Sequence, residues 1–103
     1  VPVLSLIGND ACWTQIEREQ IPILGSNVAC PLAYCHYERI ASGYATTAGD
    51  RPAVLIESAA DDAGAALREA QKRARGAGGV GGVPVVVNAH IGSTNFREGS
   101  ISV

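Results

Sequence analysis

Three short apolar runs, with helix-like segments between them, constrain the fold of this chain more than any other feature. The runs cover residues 3–7, 52–56 and 83–87 and consist mainly of valine, leucine and isoleucine. Short continuous apolar runs are typical of strands that are buried on both faces of a parallel sheet. Because strands joined through helices form right-handed βαβ units, the sequence predicts an α/β fold, a three-layer parallel sheet with flanking helices.

The segments between the first two runs have the residue spacing of helices. We expect helices over residues 11–20 and 37–43, the second ending at Gly43. Residues 22–35 contain Pro22 and Pro31 together with turn-forming residues. That composition predicts an irregular connection between the two helices.

A third helix, after the second run, is the clearest predicted element. Ser58 and Asp61 have the spacing of an N-terminal capping pair, and Gly76 follows the last helical residues. Small side chains form its apolar stripe, which would let the helix lie close to a sheet. The residues of this stripe are Ala63, Ala66, Leu67, Ala70 and Ala74.

The glycine-rich segment 76–82 predicts a flexible connector. A phosphate-binding glycine loop follows a strand and opens a helix, whereas this segment follows a predicted helix and precedes a strand. The connector is therefore the favoured interpretation. Residues 92–103 are expected to form a polar tail that lies along a surface, with Phe96 as its apolar anchor.

Charge and hydropathy exclude several classes of partner. The formal charge is −2 and the sequence pI is about 5.6, which gives no electrostatic reason to expect nucleic acid or an anionic membrane. No apolar run reaches the ~18 residues that suggest a membrane span. No nucleic-acid partner and no membrane segment are therefore expected.

The three cysteines, Cys12, Cys30 and Cys35, lack the spacing of a zinc site, and His36 and His90 lie too far from them in the sequence to suggest one. Free thiols in a reducing compartment are expected. Cys12 lies at a predicted helix N-terminus, where the pKa of a thiol falls. Neither histidine has an acid and a nucleophile beside it in the sequence, so no catalytic triad is predicted.

A polar turn, residues 8–11, follows the first predicted strand. Ligands of open parallel sheets bind beyond the carboxyl ends of the strands, which is where this turn lies. The Asn9 amide, the Asp10 carboxylate and the turn carbonyls are hard oxygen donors of the kind that Mg²⁺ prefers. The same residues also suit a simple turn followed by a helix cap, and on the residues alone that structural interpretation is favoured over a metal site.

Residues 3–13, VLSLIGNDACW, resemble the closing half of the segment that binds thiamine diphosphate in enzymes dependent on that cofactor, with Gly8 in place of the usual first asparagine. The resemblance implies thiamine diphosphate and Mg²⁺ as cofactors, with the Asn9 side chain and the Ala11 carbonyl as metal ligands. It also implies that the Gly-Asp-Gly half of the segment precedes Val1, so that the chain is a fragment. The implied cofactor-binding residues are Gly8, Asn9, Asp10, Ala11 and Cys12.

Residues 8–34, the YERIASGY segment at 37–44 and the ending TNFREGSISV closely resemble the acetolactate-synthase-like proteins that are also described as 2-hydroxyacyl-CoA lyases. The likeness is weakest over residues 45–82. It implies the C-terminal portion of a thiamine-diphosphate-binding domain from an enzyme that makes or cleaves a carbon–carbon bond beside a carbonyl. The activating glutamate would lie outside this chain, so no catalytic residue is assigned.

The resemblance also implies a substrate pocket lined by Trp13, Thr14 and Gln15. Core packing for Trp13 and a helix-start position for Thr14 are the competing interpretations. The implied partners are an acyl-CoA, 2-hydroxyacyl-CoA or 2-oxo acid substrate, the remainder of the same enzyme, and further copies in a homodimer or homotetramer. The implied location is intracellular, either cytoplasmic or associated with the endoplasmic reticulum. The alternative is a non-catalytic α/β binding domain in which the turn at Asn9 is only structural.

Overall fold

The structure is a computed structural model that describes residues 2–44, 49, 51–58 and 61–92. In chain order its elements are β1 (Leu4–Asn9), α1 (Thr14–Leu24), α2 (Tyr37–Tyr44), β2 (Ala53–Ile56), α3 (Ala63–Arg75), β3 (Gly76–Ala77), β4 (Val80–Gly81) and β5 (Val85–His90). The strands β1, β5 and β2 form a parallel sheet in that order, with β5 in the centre. The predicted α/β fold, a parallel sheet with flanking helices, is confirmed.

One face of the sheet packs against α3 and forms the apolar core. The buried residues of this core are Ile56, Ala70, Ala74, Val85 and Val87, and Ala66 and Leu67 pack against them. Alanines on the helix let its backbone approach the sheet closely, as the predicted stripe requires. The stripe is confirmed apart from Ala63, which is exposed at the first position of the helix.

The opposite face of β5 and β2 meets α2 and is polar at its centre. Side chains alternate between the two faces of a strand, so Asn88 points away from the α3 core that contains Val87. The Asn88 amide reaches the carboxylate of Glu38 in α2, and both residues are buried. A polar contact therefore joins this helix to the central strand.

The first strand and the first helix differ from their predicted bounds. β1 continues past residue 7 because Asn9 still pairs with His90 at the end of β5. α1 begins at Thr14 rather than at residue 11, since Ala11 has φ 53°, a left-handed conformation that a right-handed helix cannot contain. The helix then runs through Pro22 to Leu24, so the predicted irregular connection begins later than expected.

The N-terminus of α3 is capped by Asp62, so the predicted capping pair was wrong about the cap. The Asp62 side chain accepts a hydrogen bond from the backbone N–H of Ala65 at 2.9 Å. Asp61 accepts from the backbone N–H groups of Glu57 and Ser58 and so stabilises the preceding turn instead. The Ser58–Asp61 spacing therefore marks the turn before α3 and not the N-cap of the helix.

The glycine-rich segment between α3 and β5 contains a short antiparallel hairpin formed by β3 and β4. Gly76 has φ 71°, and a Cβ atom at this position would overlap the carbonyl oxygen of Val80. Only glycine therefore permits the close approach that starts the hairpin. The segment still connects α3 to β5, but it does so with regular backbone pairing.

Residues 93–103, which include the expected anchor Phe96, lie outside the described residues. Within the described ranges, every helix is too short or too polar to cross a lipid bilayer.

Candidate functional site

The carboxyl ends of β1 and β5 bring the predicted metal ligand Asn9 beside the central strand. Asn9 and His90 are register partners, and the backbone N–H of Ile91 donates to the Asn9 carbonyl at 2.8 Å. The Asn9 residue is only 6% exposed. An amide buried at this edge requires defined hydrogen-bond partners.

Hydrogen bonds fix the orientation of the Asn9 amide group. Its Nδ2 donates to Asn88 Oδ1 at 3.2 Å and to the Cys35 carbonyl at 3.4 Å. Its Oδ1 accepts from the backbone N–H of Ala11 at 3.1 Å. The nitrogen therefore points towards β5 and the residues before α2, whereas the oxygen points towards the turn that follows β1.

Asn88 and Glu38 continue this hydrogen-bond chain away from the turn. Asn88 Nδ2 donates to Glu38 Oε2 and to the Cys35 carbonyl, both at 2.8 Å. Burial raises the pKa of Glu38, but the bonds from Asn88 and His36 lower it by more, so the pKa lies below its ordinary value. The carboxylate is therefore ionised at neutral pH and acts only as an acceptor.

His36 contacts an acidic residue that lies close to it in the sequence. His36 Nδ1 lies 2.8 Å from Glu38 Oε1, two positions along the chain. The expectation that this histidine lacks a neighbouring acid was therefore wrong. His90 stacks on Tyr34, with ring centroids 4.6 Å apart.

The turn after β1 is held against the segment that precedes α2. The backbone N–H of Leu32 donates to the Ala11 carbonyl at 2.7 Å, and the N–H of Trp13 donates to the Cys30 carbonyl at 2.9 Å. These bonds flank an antiparallel bridge between Cys12 and Pro31. They fix the position of the Ala11 carbonyl, the second predicted metal ligand.

Asp10 braces the same turn through both carboxylate oxygens. Its Oδ1 accepts from the backbone N–H of Cys12 at 3.3 Å, and its Oδ2 accepts from the hydroxyl of Thr14. Asp10 thus acts locally at the start of α1. A Cβ atom at Gly8, which precedes Asn9, would lie 3.3 Å from Cδ1 of Ile91, the residue that follows β5.

The three predicted pocket residues lie in different environments at the start of α1. In the described chain Trp13 is 60% exposed and is therefore not part of this chain's apolar core. Thr14 is partly buried and begins the helix, with its hydroxyl bonded to Asp10. Gln15 is exposed. Their pocket role stays a prediction.

Cys12 does not have the lowered pKa expected of a thiol at a helix N-terminus. Partial burial and the carboxylates of Glu17 and Asp10 raise its pKa, which outweighs the lowering effect of Thr14. Cys12 Sγ lies 3.4 Å from Glu17 Oε2. Because α1 begins at Thr14, negative side chains rather than helix N–H groups dominate the surroundings of this sulfur.

The donors at the turn are chemically compatible with Mg²⁺. Asn9 Oδ1 and the Ala11 carbonyl are hard oxygen ligands, and each carries a second lone pair beyond its present hydrogen bond. Among the described residues, no three His, Cys, Asp or Glu side chains form a metal-binding group.

Sequence reasoning missed Asn88 and Glu38. The one signal for Asn88 is its position in the VVVNAH sequence of β5, where a buried amide needs partners. Glu38 carries no such signal, because a charged residue in the first turn of a helix is ordinarily solvated. Only the packing of α2 on the sheet brings the two together.

Curated relatives match over the entire chain. A 2-hydroxyacyl-CoA lyase 2 from Homo sapiens is 50% identical over 103 residues, which cover 100% of this chain and 15% of that protein. The protein of the same name from Danio rerio is 46% identical over 102 residues, which cover 99% of this chain and 15% of that protein. The protein of that name from Caenorhabditis elegans is 45% identical over 103 residues, which cover 100% of this chain and 15% of that protein.

The chain thus spans about 15% of the length of the curated relatives it matches. No family model and no solved structure matches it. The relatives bear the lyase name that the motif in residues 8–34 indicated. The resemblance is therefore confirmed: over its whole length, this chain is related to a segment of the 2-hydroxyacyl-CoA lyase 2 proteins.

Proposed function

We propose that this chain is part of a thiamine-diphosphate- and Mg²⁺-dependent lyase that cleaves 2-hydroxyacyl-CoA substrates beside the carbonyl. The observation that carries the proposal is the similarity of this whole chain to a segment of 2-hydroxyacyl-CoA lyase 2, and oxygen donors at the carboxyl end of β1 support it. The names of the relatives favour the lyase over acetolactate-synthase-like ligation and over a non-catalytic binding domain.

The chain's own role is to hold the metal. Asn9 Oδ1 and the Ala11 carbonyl would bind Mg²⁺, while Gly8, Asp10 and Cys12 shape the turn around the cofactor diphosphate. A diphosphate is doubly negative, so a divalent ion and a strand-to-helix junction offset its charge. When bound, thiamine diphosphate supplies the carbanion stabilisation that cleavage beside a carbonyl requires.

Trp13, Thr14 and Gln15 would then line the substrate side of the site. They follow the metal ligands directly, and Thr14 is tied to the turn through Asp10. The exposed indole of Trp13 offers an apolar surface for an acyl chain, which suits a substrate that carries one. These residues bind and orient the substrate rather than move protons.

We also infer that the rest of the enzyme, in a homodimer or homotetramer, covers the apolar surface of α1 and the loop after it. Ile23, Leu24 and Val28 are 79%, 68% and 70% exposed in the described chain. Large apolar side chains exposed at neighbouring positions of the sequence are typical of a surface that another part of a protein covers. The curated relatives have far more chain available to cover it.

The test is the cofactor dependence of the full-length protein. After removal of metal and cofactor, aldehyde release from a 2-hydroxyacyl-CoA should cease and should return only when Mg²⁺ and thiamine diphosphate are both restored. Full cleavage activity without either component would contradict the proposal. Ligation of 2-oxo acids in the absence of any cleavage would favour the acetolactate-synthase-like activity instead.

A further inference from the structure

Asn88 is a completely buried amide on the central strand, and its hydrogen bonds lead directly to the predicted metal ligand. Its nitrogen donates to Glu38 and to the Cys35 carbonyl, and its oxygen accepts from Asn9. These hydrogen bonds thus link α2, β5 and β1. None of these contacts is used by the cofactor or substrate assignments above.

The Glu38 carboxylate and the Cys35 carbonyl determine the orientation of the Asn88 side-chain amide and, through it, that of Asn9. An ionised carboxylate and a backbone carbonyl can only accept, so the NH₂ group of Asn88 must face Glu38 and Cys35. Its oxygen is then turned towards Asn9, whose NH₂ group must donate to it. Reversing either amide would place two oxygens or two NH₂ groups against each other.

The orientation of Asn88 determines where the side-chain oxygen of Asn9 points. With its nitrogen held by Asn88 and the Cys35 carbonyl, Asn9 has its Oδ1 on the side of the turn, where the Ala11 N–H is. Only this orientation offers the metal an oxygen rather than an NH₂ group. His36 contacts the second oxygen of Glu38 and so holds the carboxylate in place.

We propose that Asn88 and Glu38 are positioning residues that keep the Asn9 amide oxygen directed towards the metal. This inference rests on the proposed function, because it assumes that Asn9 is a metal ligand. On this proposal the Asn88–Glu38 contact orients the metal ligand in addition to joining α2 to the sheet. Partners of metal ligands are typically worth about 10–100-fold in metal affinity.

The experiment measures the Mg²⁺ dissociation constant of the full-length enzyme with thiamine diphosphate present, by calorimetry, alongside its melting temperature. Asn88→Leu removes the acceptor for Asn9 and should weaken Mg²⁺ binding about tenfold or more. Val87→Ala is the matched control, since Val87 is buried on the same strand but faces α3. It should lower the melting temperature and leave Mg²⁺ affinity unchanged.

A second pair of variants keeps the inference testable if Asn88→Leu does not fold. Glu38→Gln can still offer an oxygen to Asn88, so it should keep Mg²⁺ affinity within about twofold, whereas Glu38→Met cannot and should weaken binding several-fold. Equal Mg²⁺ affinity in both Glu38 variants would overturn the inference. So would an Asn88→Leu enzyme that melts earlier but binds Mg²⁺ normally.

Asn9→Ala separates the two claims. If Asn9→Ala weakens Mg²⁺ binding and Asn88→Leu does not, the positioning role fails while the metal assignment stands. If Asn9→Ala itself leaves Mg²⁺ affinity unchanged, the metal assignment fails, and with it the inference built on it.

Discussion

The amide nitrogen of Asn9 donates to the amide oxygen of Asn88 at 3.2 Å, which joins β1 to the neighbouring central strand through side chains as well as backbone. The two residues are not register partners, since Asn9 pairs with His90 and Asn88 with Ile7. The contact therefore crosses the ladder diagonally on the face that α2 covers. Because Asn9 also accepts from the N–H of Ala11, this contact links the position of Asn88 to the conformation of the turn after β1.

The buried carboxylate of Glu38 should make stability depend on pH. Its pKa in the folded protein lies below the ordinary value of 4.5, so the ionised form contributes stability at neutral pH. That contribution is lost as the pH falls from about 4.5 through the lower folded-state pKa. Wild type should therefore melt at a higher temperature than Glu38→Gln at pH 7, and this difference should narrow as the pH falls below 4.5.

The measurement is calorimetric melting of both proteins across that range of pH. The outcome that contradicts this account is a gap that stays constant from neutral to acidic pH.

Overpacking beneath α3 should destabilise the fold. Ala70 is completely buried against the sheet, so Ala70→Leu is expected to cost about 1–3 kcal/mol of unfolding free energy. Ala65 is exposed on the same helix, and Ala65→Leu should change stability by less than about 0.5 kcal/mol. Denaturant titration of the two variants checks this. Equal losses would show that α3 does not pack as described.

The stability of the hairpin between α3 and β5 should depend more on Gly76 than on Gly78. Gly76→Ala forces a Cβ into the Val80 carbonyl oxygen, whereas a Cβ at Gly78 meets open space. Both positions have positive φ, so Gly78→Ala costs only the backbone strain, about 1 kcal/mol. Gly76→Ala should cost clearly more. Amide exchange at Val80 compares the two, and equal protection would refute the steric argument.

The exposed side chain of Trp13 should affect substrate choice rather than folding. Because it is 60% exposed, Trp13→Ala should leave the melting temperature nearly unchanged. As a pocket residue it should shift the relative kcat/KM values for short and long acyl chains. A lower melting temperature with unchanged selectivity would remove Trp13 from the pocket.

Local patterns predicted the parts of the fold that depend on neighbouring residues. The apolar stripe of α3 follows from its 3.6-residue period, and Ala70 and Ala74 are buried as that period requires. The turn at Asn9 was identifiable because a strand-like run ends in turn-forming residues. Local patterns failed at the start of α3, where Ser58 and Asp61 have the spacing of a capping pair but Asp62 supplies the cap.

Contacts between distant residues could not be predicted from one sequence. Glu38 and Asn88 are 50 positions apart, and nothing in either neighbourhood specifies the other. Ala11 adopts positive φ because Leu32 and the turn hold it, not because alanine favours that conformation. The hairpin within residues 76–82 likewise depends on a pairing that a glycine-rich composition does not encode.

The most direct test of the central claim is whether Asn9 retains the metal and cofactor in the full-length enzyme. Asn9→Ala should lose thiamine diphosphate and Mg²⁺ during gel filtration, because the protein supplies few of the ligands of Mg²⁺. Asn27→Ala makes the same chemical change at an exposed residue and should retain both. Activity of Asn9→Ala should recover in part at high Mg²⁺ and cofactor concentrations. Retention of both groups by Asn9→Ala, equal to that of Asn27→Ala, would contradict the account.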